Sequence, residues 1–163
     1  MIEVIAQGTD VPELNTEIVF RRRPLSLPED LRPAWRIGLL VLLLSTCCRG
    51  GKSSRARLHV LSWGIRTKES QVDLVAAISG NLNPGTLLVR FDPFLDRALD
   101  FAIGEGAIQH VGGKSVALTQ TGKRLSEEIR QSDSVFVAEK KFIDLIGQKV
   151  SEELVRQMFG WKD

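Results

Sequence analysis

The sequence is poor in the side chains from which metal and redox centres are built, with two cysteines and two histidines in 163 residues. Cys47 and Cys48 are adjacent inside an apolar run, and vicinal cysteines make poor structural disulfides. No Cys or His stands near them at ligand spacing, so they read as two buried thiols in a reducing cytoplasm. His59 and His110 stand alone, without a carboxylate or thiol at a recognisable motif spacing. No Ser, Cys or Thr nucleophile motif occurs. The expectation is a non-enzyme, with no catalytic residue, no metal and no cofactor.

Charge imbalance is slight as well. A net charge of +2 is too small to demand a nucleic-acid partner, so the distribution matters more than the sum. The start, MIEVIAQGTD, has no basic segment leading into a long apolar one, and no signal peptide is expected. The longest apolar run, Ile37 to Cys48, falls short of the ~20 residues that span a bilayer and reads as a core helix. A cytoplasmic protein without membrane attachment is expected. Repeats and low-complexity segments are absent.

What is present is globular: 43% hydrophobic and 26% charged residues, in a chain long enough for one ordinary core. Thr86 to Arg130 organises it. After the apolar run Leu87 to Val89, Asp92 and Pro93 form an N-cap and first helical position. Leu95, Leu99, Ala102 and Ile103 recur at helical spacing until Gly104 and Gly106 stop them. Ala107 to Val111 and Ser115 to Leu118 are strand-like, with Gly112-Gly113 as a two-residue hairpin signal. Thr119 to Gly122 opens another helix, with Leu125 and Ile129 one turn apart. A helix, a hairpin and a Leu-Thr-x-x-Gly-Lys helix start are how a winged-helix domain ends.

Upstream, residues 1–31 lack helical periodicity and are broken by Pro12, Pro24 and Pro28; a candidate strand at Glu17 to Phe20 runs into Arg21, Arg22 and Arg23. An extended arm with those arginines as partner contacts is expected. From Pro33 the chain reads as a helix apolar nearly all round. A second helix is predicted from a Ser53 cap to about Trp63, ended by Gly64, with Leu58, Leu61 and Ile65 inward. A third is predicted over Thr67 to Ser79, with Val72, Val75, Ala76 and Ile78. Helical spacing resumes after Ser134, breaks at Gly147 and continues through Val150, Leu154, Val155 and Met158. The fold class expected is mainly α with a small β-hairpin (α+β): an arm over 1–31, a winged-helix domain over 32–131 and a C-terminal helical extension over 132–163.

Three motifs bear on function. VLLLSTCCRGGKSS imitates a phosphate-binding loop, but the position needing the first glycine holds Thr46, whose branched Cβ opposes the tight backbone required. Nucleotide hydrolysis is therefore not expected. The helix before the hairpin, which winged helices lay in a DNA groove, carries Asp92, Asp96, Asp100 and Glu105 against Arg97 alone, and the wing has only Lys114. Readout by that face is disfavoured, although Arg49, Lys52, Arg55 and Arg57, with no acid among them, form a candidate nucleic-acid contact. Basic residues at a helix start oppose the macrodipole, which adds interest to that cluster. The amphipathic end, with Leu154, Met158, Phe159 and Trp161, suits either packing on the domain or a partner groove.

VRFDPFLDRALDFAIGEGAIQ followed by GKSVALTQTGKRL resembles the middle component of bacterial ABC three-component systems, the small subunit of Lamassu-type anti-phage defence. The resemblance covers Pro33 to Arg130 and is best over Arg90 to Leu125. It implies a non-catalytic winged-helix subunit that binds an SMC-like coiled-coil ABC ATPase, beside an effector that is often a nuclease, with DNA contact through the complex. The competing expectation is a winged-helix DNA-binding transcriptional regulator, favoured if Arg21 to Arg23 and Arg49 to Arg57 form one basic face.

Overall fold

A computed structural model describes residues 32–161. The arm over 1–31, including the strand at Glu17 to Phe20 and Arg21 to Arg23, lies outside the described residues. The order is α1 (Pro33–Cys47), β1 (Lys52–Ser54), α2 (Arg55–Arg66), α3 (Lys68–Ile78), α4 (Pro93–Gly104), β2 (Ile108–His110), β3 (Ser115–Leu118), α5 (Gln120–Gln131), α6 (Val137–Ile146) and α7 (Glu152–Phe159), with single 3-10 turns at Arg49–Gly51 and Pro84–Thr86. The chain is mainly helical with a small antiparallel sheet, an α+β arrangement.

Helix α1 is the axis. Leu39 to Leu44 and Cys47 are all buried, because four helices and the sheet pack around the middle of α1, while Pro33, Ala34 and Ser45 stay exposed. Each leucine so enclosed contributes roughly 1.5–3 kcal/mol of burial. Helices α2, α4, α5 and α6 pack directly on it. One hydrophobic core runs from α1 through α2, α4 and the hairpin to Phe142, Ile143 and Ile146 of α6 and Leu154, Val155 and Met158 of α7. At the C-terminus of α1, the Arg57 guanidinium donates to the Cys47 carbonyl oxygen at 2.7 Å, satisfying a helix-end acceptor.

The sheet order is β1-β3-β2, antiparallel throughout. Lys52, Ser53 and Ser54 face Ala117, Val116 and Ser115, while Ile108 faces Leu118 across the hairpin. The third strand corrects the expected helix start: Ser53 is buried in β1, and Ser54 caps α2 by accepting from the Arg57 amide at 3.1 Å. The hairpin loop has three residues, Gly112 to Lys114, since Val111 and Ser115 still bond; both glycines hold positive φ.

Gly64 does not end α2, which continues to Arg66; it lies where α3 crosses, and any Cβ there would collide with Leu74. On α3 the buried residues are Ser70, Leu74 and Ala77, and Val72 is exposed, so the predicted inward stripe is rotated. Thr119 shows why its motif follows a hairpin. Its hydroxyl donates to the Ala107 carbonyl at 3.1 Å and accepts from the Gly122 amide at 3.2 Å, pinning α5 to β2. Gly122 sits so close under the Ala107 carbonyl that no side chain fits.

Candidate partner-binding surface

Helix α4 begins as its sequence requires. The Asp92 carboxylate caps the Phe94 amide at 2.9 Å, and Pro93 occupies the first position. Leu95, Ala98, Leu99 and Ala102 then turn inward. Its aspartates pair with neighbouring helices, Asp92 largely buried and Asp96 and Asp100 at the edge, where the Asp100 side chain stays 68% exposed. Asp92 Oδ2 accepts from Arg36 at 2.7 Å and from Arg66 at 2.5 Å. Asp96 accepts from His59 Nε2 at 3.1 Å, and Asp100 from Arg55 at 3.1 Å. Three carboxylates spaced by four residues thus meet a matching stripe of α2, Arg55, His59 and Arg66, with Arg36 of α1 beside them.

The negative charge expected on α4 is thus partly neutralised by pairing, while Asp100 and Glu105 remain exposed. Burial acts to raise the Asp92 carboxyl, but the Arg36 hydrogen bond, the Phe94 amide and the charges of Arg36 and Arg66 together hold it below its ordinary value of 3.8. His59 Nδ1 accepts from the Asp92 amide at 3.0 Å, which places the ring proton on Nε2, facing Asp96. Both ring nitrogens are engaged, so this His–Asp pair orders α4 against α2 and offers no lone pair to a substrate.

What α4 presents outward is aromatic. Phe94 is 56% exposed and Phe101 57%, two turns apart on one face, with exposed Arg97 between them. The Arg36 guanidinium lies over the Phe94 ring at 5.6 Å and fixes its orientation. Large apolar side chains left open on one face of an otherwise well-packed helix are a recognised mark of association.

The predicted nucleic-acid cluster is divided by the fold. Arg57 is spent on the end of α1, and Arg55 on Asp100 and Asp96 of α4. Arg49 and Lys52 remain exposed, on the turn and strand that precede α2. The predicted partner residues of the C-terminus separate likewise. Leu154 and Met158 are buried in the core, the packing alternative of the two expected, and so are not open to a partner. Phe159 is half-buried and Trp161 is 50% exposed.

Those two rings join a cluster that the sequence did not announce. Phe91 and Phe159 stack at 4.8 Å and 18°, Phe159 and Trp161 at 4.9 Å and 18°, and His59 meets the edge of Phe91 at 4.6 Å. Beside it a cavity of about 800 Å³ opens between the start of α2, the hairpin loop and α7. Its walls include Phe91, Trp161, Arg55, Lys114, Arg156 and Glu152. No short motif flags it, because its parts come from four separate segments.

The two cysteines lie at the C-terminal end of α1. Cys47 Sγ is 3.9 Å from the Ile143 carbonyl oxygen, and burial, with the neighbouring Cys48, pushes its thiol up to about 12. Burial raises Cys48 too. Among the described residues no cluster of His, Cys, Asp or Glu is placed to hold a metal ion, and no helix is long and apolar enough to cross a membrane. No family model matches the sequence, and no curated protein or solved structure matches it closely enough to count as a relative.

Proposed function

We propose that this chain is a winged-helix adaptor, a non-catalytic subunit that binds an SMC-like ABC ATPase and holds a nuclease effector in an anti-phage complex of the Lamassu type. The observation that carries the reading is the outward face of α4, where Phe94 and Phe101 stand exposed beside Arg97, with Asp100 and Glu105 also open on the helix. The arrangement supports the winged-helix assignment: a strand between the first two helices joins the hairpin, in the order β1-β3-β2, and α4 precedes the hairpin as a recognition helix would. A DNA-reading helix needs cations and amides at its exposed positions. Here Arg97 is flanked by two phenylalanines, which suits a protein surface.

Co-purification of the tagged chain with the products of its own operon tests the reading. The ATPase should be recovered with the wild-type chain and lost with Phe94→Asp plus Phe101→Asp, while the melting temperature stays put. A tagged chain that recovers no ATPase, or a double variant that recovers as much as wild type, defeats the proposal. The transcriptional-regulator reading predicts instead a salt-sensitive complex with operator DNA that weakens in Arg49→Ala plus Lys52→Ala, the two exposed cations of the basic stretch.

A further inference from the structure

The adaptor reading makes no use of the cavity between the hairpin and α7. Its volume of about 800 Å³ falls within the range of small-molecule sites. Two kinds of wall meet there. One is aromatic: the rings of Phe91, Phe159 and Trp161 lie within 24° of parallel, and Phe91 and Trp161, each about half exposed, line the space. The other is cationic, from three separate elements: Arg55 at the start of α2, Lys114 in the hairpin loop and Arg156 on α7.

A near-parallel ring cluster with open faces is complemented by another flat π-system, and cations converging nearby call for an anion within a few ångströms of it. A nucleobase carrying a phosphate has both on one molecule. We propose that this cavity binds a phosphate-bearing nucleobase, the base stacked on Trp161 and Phe91 and the phosphate held by Lys114 and Arg156. Arg55 forms the rim, kept in place by Asp100 at 3.1 Å. Arg156 is presented by its pairing with Glu153 one turn earlier. Glu152, the one carboxylate among the lining residues, is occupied by the Ser54 hydroxyl at 2.9 Å. An acidic peptide would use the cations but leave the rings without a coplanar partner.

The base and phosphate can come from a free nucleotide or from the end of a nucleic-acid strand. Titration of the full chain with AMP, adenosine and a short 5′-phosphorylated oligodeoxyadenylate, followed by tryptophan emission and calorimetry, separates these sources. Binding of AMP identifies a free nucleotide as ligand, and binding of the oligonucleotide alone identifies a strand end; either supports the proposal. Adenosine should bind at least tenfold more weakly than the phosphorylated probe that binds. Trp161→Ala should lower affinity roughly tenfold, which corresponds to ~1.4 kcal/mol and is typical of one base–aromatic stack, while Trp161→Phe keeps most of it. Lys114→Ala, on an exposed loop, should remove the preference for phosphate and keeps the test decisive if Trp161→Ala fails to fold. No binding by any probe, equal binding by both alanine variants and wild type, or tighter binding of a peptide rich in Asp and Glu overturns it. None of these outcomes depends on whether the chain recovers an ATPase.

Discussion

Helices α1 and α4 start alike, each with a proline in its first turn, and end in opposite roles. Helix α1 is enclosed along its middle, so Gly38 to Leu44 all answer to packing. Helix α4 is enclosed on one side only, where its leucines and alanines fill the core, with Asp92 and Asp96 paired to Arg36, Arg66 and His59 along that seam. The remaining side carries Phe94, Arg97, Asp100 and Phe101, all exposed. The contrast teaches that overall hydrophobicity does not tell which helix leaves large apolar side chains open. The greasier helix is the more deeply packed one, and the exposed phenylalanines belong to the helix with the more mixed sequence.

The largest expected effect falls on α1. Leu42→Ala, at a site with no exposed surface, should destabilise the fold by ~3 kcal/mol in denaturant titrations, from lost burial plus the cavity left behind. The inward side of α4 comes next. Asp92→Asn removes the charge facing Arg36, whose side chain is 8% exposed, and should cost about 2 kcal/mol at neutral pH. Because the folded Asp92 carboxyl lies below its ordinary 3.8, its contribution is complete above that value and is lost as pH falls through the folded one. Wild type and Asn variant should therefore converge in stability in strong acid, and a gap that stays constant with pH would refute the ion-pair account. The smallest effect belongs to the outward side. Phe94→Ser should change stability by no more than ~0.5 kcal/mol, within the range of surface substitutions. A cost approaching that of Leu42→Ala would erase the distinction between the two helices.

Much of this frame was legible in the sequence. Asp92-Pro93 and Thr119 each carry a local mechanism that the structure uses, and Gly112-Gly113 does mark the turn, though in a three-residue loop where a two-residue one was expected. Strand β1 was not legible, because three residues are too few to display alternation and Ser53-Ser54 reads equally as a helix cap. Gly64 misled because its role is a close approach by Leu74, a contact no local pattern encodes. The pairing of the aspartates was the costliest omission. Counting charge along α4 gave its sign but not its partners, although the four-residue spacing of Asp92, Asp96 and Asp100 against Arg55, His59 and Arg66 was there to be matched. The aromatic cluster was out of reach, since Phe91 and Trp161 are far apart in the chain and only the return of α7 brings them together.

The enclosure of the two cysteines has a practical corollary. Both thiols are buried, and burial raises both, so thiolate-seeking reagents should react with them slowly. A single cysteine introduced at Phe94 or Phe101 could then carry a fluorophore or crosslinker alone, with the native pair left in place. The surface in question can be mapped on the intact chain without a cysteine-free background.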